Sequence, residues 1–74
     1  MRYEVVREIF NHCQRNQMRD VFIEELEIED PRAHVESFCK GEPAQIEETV
    51  NADGTLIYDL ELFGIRQRFT FTPD

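Results

Sequence analysis

The chain has no tryptophan, three glycines, three prolines, two cysteines and half as many basic as acidic residues. Each shortage excludes something. No apolar run approaches the ~20 residues that span a bilayer as a helix. Met1-Arg2-Tyr3-Glu4 opens with alternating charge and lacks the apolar stretch of a secretory signal, so the expected location is the cytoplasm. Two cysteines allow one disulfide at most, and a reducing compartment makes buried thiols the ordinary reading of Cys13 and Cys39. The glycines are scattered at Gly41, Gly54 and Gly64, each at an expected cap or turn, so there is no glycine-rich phosphate loop and no cofactor is expected. Sixteen acidic against eight basic residues give a net charge of −8. That balance opposes binding to nucleic acid, whose affinity comes largely from neutralising phosphates, and to anionic membranes. Solubility is the simplest account of the acidity.

What the chain does have suits one small domain over residues 1–74. Hydrophobic residues make up 41%, including six phenylalanines and two tyrosines. A chain this short buries only about 60% of its unfolded surface, so its core is small.

The strongest local signal is a C-terminal hairpin from Thr55 to Thr72. Folded about Phe63-Gly64, it opposes Leu62 to Ile65, Tyr58 to Phe69 and Leu56 to Phe71 on one face. On the other face Glu61 meets Arg66 and Asp59 meets Arg68. Directly opposed apolar and opposite-charge pairs are each worth roughly 0.2–1 kcal/mol, and a one-residue slip would expose every core side chain. Upstream, Gln45–Val50 reads as a strand ending at the turn Asn51-Ala52-Asp53-Gly54. A three-residue loop with Gly54 left-handed opposes Val50 to Leu56 and Ile46 to Leu60, the arrangement of a type I turn with a G1 bulge. A two-residue loop would put core residues on the wrong face.

Asp30-Pro31 marks a helix start, with Asp30 as N-cap and Pro31 at the first helical position. That helix is expected to run through Lys40, with Val35, Phe38 and Cys39 on one face, Gly41 at its C-terminal cap and Pro43 preventing resumption. Between residues 21 and 29 a strand is expected. It is apolar on both faces at its Val21-Phe22-Ile23 start, which suggests an interior position there, and its acidic end runs out to solvent. Tyr3–Gln14 is ambiguous. As a helix it gathers Tyr3, Val5, Val6, Ile9, Phe10 and Cys13 within an arc of about 160°; as a strand it strands Val6 and Phe10 on the polar side. The helix is the favoured reading. The expected fold is therefore α+β: an antiparallel sheet with a C-terminal three-strand meander and helices packed on one face. The order is α-β-α-β-β-β, with β-β-α-β-β-β as the alternative.

Few residues carry a chemical signature. His12, Cys13, His34 and Cys39 are the zinc-type ligands, but neighbouring His12-Cys13 and the five-residue step from His34 to Cys39 both miss the usual spacings. Cys13 stands near Arg15, Arg19 and His12, and positive neighbours activate a thiol, yet no base or oxyanion signature accompanies it. The acidic run Glu24, Glu25, Glu27, Glu29 and Asp30 lacks the calcium-loop pattern and reads as a solvated stripe. Asn16-Gln17-Met18-Arg19-Asp20 is an unusually polar link in which Arg15, Asn16, Gln17 and Arg19 could grip an acidic group. Ile57 and Phe63 stand on the otherwise polar outer face of the hairpin and suggest an apolar contact patch. The expectation is a non-catalytic interaction or regulatory module, acting on a protein partner or a second copy of itself. A small metal or thiol site around Cys13 with His12, His34 or Cys39 is the alternative.

Overall fold

The computed structural model describes residues 1–10, 19–39, 45–62 and 64–74. They form strands β1 (Arg2–Phe10) and β2 (Arg19–Glu27), helix α1 (Pro31–Ser37), and strands β3 (Ile46–Val50), β4 (Leu56–Leu62) and β5 (Ile65–Pro73). The strands make one antiparallel sheet in the order β2-β1-β5-β4-β3. Long β1 and β5 lie inside it; β2 and β3 are its two edges. The two edge strands run the same way, and the segment joining them carries α1 across one face.

The meander has the expected register. Leu62 pairs with Ile65, Tyr58 with Phe69, Leu56 with Phe71, Glu61 with Arg66 and Asp59 with Arg68. Val50 pairs with Leu56 and Ile46 with Leu60. Gly54 sits at φ 90°, the Asn51 amide donates to Thr55 O at 2.9 Å and the Gly54 amide to Asn51 O at 3.1 Å. Asp53 Oδ1 accepts from the Thr55 amide at 2.9 Å, which holds the Asp53 carboxyl below its ordinary range.

The expected α+β class is not what forms. The protein is mostly β, five antiparallel strands with a single seven-residue helix among the described residues. The first segment is a strand, so the element order is β-β-α-β-β-β. The reason is its place in the sheet. As an inner strand β1 has partners on both sides, so Val6 and Phe10 can sit on the outer face while Tyr3 and Val5 enter the core. Its β-branched and aromatic residues also favour a pleated surface. The second segment is a strand, but its apolar start is at the sheet's edge rather than its interior. Helix α1 begins as expected: the Ala33 amide donates to Asp30 Oδ1 at 3.2 Å, and Pro31 opens the first turn. It ends at Ser37 with Phe38 as cap, earlier than Lys40; Gly41 and Pro43 lie outside the described residues.

The core lies between α1 and the sheet face carrying Tyr3, Val5, Phe69, Phe71, Tyr58, Leu60 and Leu62, with Val35 and Cys39 above them. Phe71, wholly buried, takes Tyr3 and Tyr58 edge-on at 5.9 and 5.6 Å between ring centroids. Ile28 is buried where the chain leaves β2, its amide bonded to Met1 O at 2.9 Å.

Candidate functional site: the β2 edge

The two edges of the sheet differ in how they meet solvent. An unpaired edge is a template for another strand, and proteins blunt it by keeping it short or charged. Strand β3 does both: it has five residues, with Glu47 and Glu48 in its middle. Strand β2 is nine residues long, and its middle is Val21, Phe22 and Ile23, exposed by 45, 52 and 65%. Side chains alternate along a strand, so Phe22 is on the helix face and Val21 and Ile23 are on the outer face.

Acidic groups flank this apolar centre. Glu25 meets the Arg2 guanidinium at 3.3 Å, and Glu27 meets the N-terminal ammonium at 2.9 Å. Both pairs are exposed and contribute little individually, but they tie β2 to the start of β1. Asp20 and Glu24 flank Phe22 on the helix face.

That face is open beside α1. A cavity of about 310 Å³ is lined by Val5, Arg7, Phe22, Glu24, His34, Phe38 and Phe69. Arg7 comes from β1 onto an apolar face because it follows Tyr3 and Val5 in the alternation. Its guanidinium lies 4.4 Å from the Phe38 ring centroid and 5.5 Å from that of Phe69. Its Nε and Nη2 both donate to Gln67 Oε1, at 3.2 and 3.1 Å. Gln67 is the buried polar residue of the described core, so Arg7 supplies a partner that its amide oxygen would otherwise lack. Arg7 is thus spent on positioning, and its place was missed by the helical reading of this segment; the alternation Tyr3-Val5-Arg7-Ile9 was the available signal.

The outer face carries a row of small and apolar residues across all five strands: Ile23, Val6, Thr70, Ile57 and Thr49, each facing the next. Beside it runs a charged row containing Glu8, Arg68, Asp59 and Glu47, in which Arg68 Nε bonds Asp59 Oδ1 at 2.8 Å. That bond holds the Arg68 guanidinium charged beyond its ordinary range.

Of the residues singled out from sequence, Ile57 lies in this row, half-buried between Thr49 and Thr70. Arg19 is the first position of β2, so the polar link ends sooner than expected. Arg15, Asn16, Gln17 and Phe63 lie outside the described residues, as do His12 and Cys13. His34 is half-buried on α1, its ring edge-on to Phe38 and Phe71 at 5.3 and 6.0 Å. Cys39 is buried, with Sγ 3.9 Å from Val35 O. Among the described residues no three His, Cys, Asp or Glu side chains gather as a metal site, and no helix is long and apolar enough to cross a membrane.

The fold and the exposed edge describe an open antiparallel sheet with one face covered by a helix and one strand edge left apolar. No protein-family model, curated protein or solved structure matches the chain.

Proposed function

We propose that this protein is a non-catalytic interaction module that takes an extended protein segment alongside β2, continuing its sheet. The observation that carries the reading is the consecutive exposure of Val21, Phe22 and Ile23 at an edge strand. A partner lying on one face of the sheet would leave either Phe22 or the Val21–Ile23 pair in water. A strand added beside β2 brings side chains to both faces at once and pairs the edge backbone groups, the strand-addition mode of peptide recognition. Val6, half-buried beside Ile23 on the outer face, lets apolar contact continue inward from the edge.

The test is selection of peptides from a displayed random library on the immobilised protein, followed by amide chemical-shift mapping of binders at known concentration. The expected result is perturbation along residues 19–27 that disappears in the variant Ile23→Lys. Binders that map to β3 or to the charged row, with β2 unmoved, would overturn the reading. So would failure to enrich any β2-binding peptide together with a chain that stays monomeric.

A further inference from the structure

Resting on that reading, we infer that the segment that fits β2 is β2 of a second copy, paired antiparallel about a two-fold axis midway between the two Phe22 residues. The argument is one of register. A two-fold axis normal to the sheet keeps each residue on its own face, and opposed residues must share a face. The axis must therefore lie midway between one residue and the same residue of the other copy. Three centres can be compared. Centred on Val21, the pairing sets Phe22 against Asp20 and Ile23 against Arg19 of the other copy. Centred on Ile23, it sets Phe22 against Glu24 and Val21 against Glu25. Only the Phe22 centre matches the exposed apolar residues to one another: Phe22 meets Phe22, and Val21 meets Ile23 twice.

One pairing in this register is unfavourable: Asp20 faces Glu24 on the helix face, again twice. Arg7 stands opposite Phe22 on β1, diagonal to both acids, so each copy brings a cation next to the clash. On the helix face the two Phe22 rings meet in the gap beside the two α1 helices, where the cavity lined by Phe22 and Phe38 opens. Two bodies of charge −8 repel at long range, and salt screens that repulsion over a length of about 8 Å at physiological strength. The contact is a single strand pair, at the small end of protein interfaces (below ~1,200 Å² in total), and the dimer is transient.

The experiment is sedimentation velocity from about 10 µM to about 1 mM, the range in which weak dimers populate, with native mass spectrometry at the upper end. The expected result is a reversible dimer that tightens with added sodium chloride. Ile23→Lys abolishes it, and far-UV circular dichroism shows the fold intact because Ile23 lies outside the core. Glu24→Gln relieves the two like-charge pairs and tightens the dimer about two- to tenfold. Ile57→Lys, several strands from the axis, leaves it unchanged. Mild oxidation of Phe22→Cys gives a disulfide between the two substituted positions, located by peptide mapping. A monomer throughout the range overturns this inference. A dimer lost in Ile57→Lys but not in Ile23→Lys also overturns it, as does a Glu24→Gln dimer no tighter than the parent. If the chain stays monomeric while selected peptides still map to β2, the interaction reading stands and the occupant is another protein's strand.

Discussion

Replacing Arg7 by methionine tests the account of how the helix face is held. The guanidinium makes two charge-assisted contacts to Gln67 Oε1, at 3.2 and 3.1 Å, and lies 4.4 Å from the Phe38 ring. Hydrogen bonds to a charged partner are worth about 1.5–3 kcal/mol, and a cation over a ring adds about 0.5–1 kcal/mol at a partly exposed site. Methionine retains the apolar stem, so the net loss is about 2–3 kcal/mol, most of it from leaving the Gln67 oxygen buried without a donor. For a chain of 74 residues, typical stabilities are about 4–11 kcal/mol in all, so the effect is large. It corresponds to a fall in Tm of roughly 4–8 °C per kcal/mol. Gln67→Leu alone costs less, about 1 kcal/mol, because Arg7 is half-buried and its donors can turn to water. The pair Arg7→Met with Gln67→Leu leaves neither an acceptor nor a donor wanting. It is more stable than the sum of the singles by about 1–2 kcal/mol. Urea unfolding followed by far-UV circular dichroism measures all four proteins. Additivity within about 0.3–0.5 kcal/mol would show that the two residues are not coupled and would refute the reasoning.

Three other outcomes follow from the same structure. Gly54→Ala places a side chain at φ 90°, where the new Cβ meets Pro73 Cγ at an ordinary 3.5 Å, so the cost is backbone strain of about 1–2 kcal/mol. Gly54→Asn should cost clearly less in thermal unfolding, and equal losses would point to a clash instead. Burial, with the Glu48 carboxylate beside its hydroxyl, pushes Tyr58 from its ordinary 10.0 up to about 12. The folded state therefore favours the neutral phenol, whose stabilisation is complete below pH 10 and is lost as pH rises through 12. Tyr58→Phe should flatten that decline in urea midpoints measured across the interval, and an unchanged slope would count against it. Asp30→Ala removes the cap of α1 and should cost about 0.5–2 kcal/mol, with Asp30→Asn near neutral; equal loss in both would place the effect in charge rather than in the bond to Ala33.

Much of the meander was legible because its information is local and redundant. From Ile46 to Phe71 each strand is joined to the next by a short turn, and only one register brings apolar residues to one face and opposes Asp59 to Arg68. Gly54 at positive φ followed from the parity of that register. The capped start of α1 was equally local, since Asp30 and Pro31 act on backbone groups within one turn. None of this requires knowing where the distant parts of the chain lie.

The first segment was not legible in that way. Val5, Val6, Ile9 and Phe10 suit a helix with one broad apolar arc or a strand apolar on both sides, and the choice depends on neighbours far along the chain. The β1–β5 pairing joins residues some 60 apart, setting Arg7 against Phe69 and Ile9 against Gln67. Once β5 and β2 flank it, both edges of β1 are paired, Tyr3 and Val5 enter the core, Val6 and Phe10 are half-buried among their neighbours, and the strand wins. The same assembly decided the candidate site. A run such as Val21-Phe22-Ile23 reads equally as an interior strand or an exposed edge, because periodicity records which faces are apolar and not which side lacks a partner. The sequence alone determined the hairpin registers, the turn glycine, the helix cap and the acidic surface, all of which follow from near neighbours. Only the tertiary structure decided that β1 lies inside the sheet and β2 at its rim, because strand order is set by pairing between residues far apart in the chain and by the face that α1 covers.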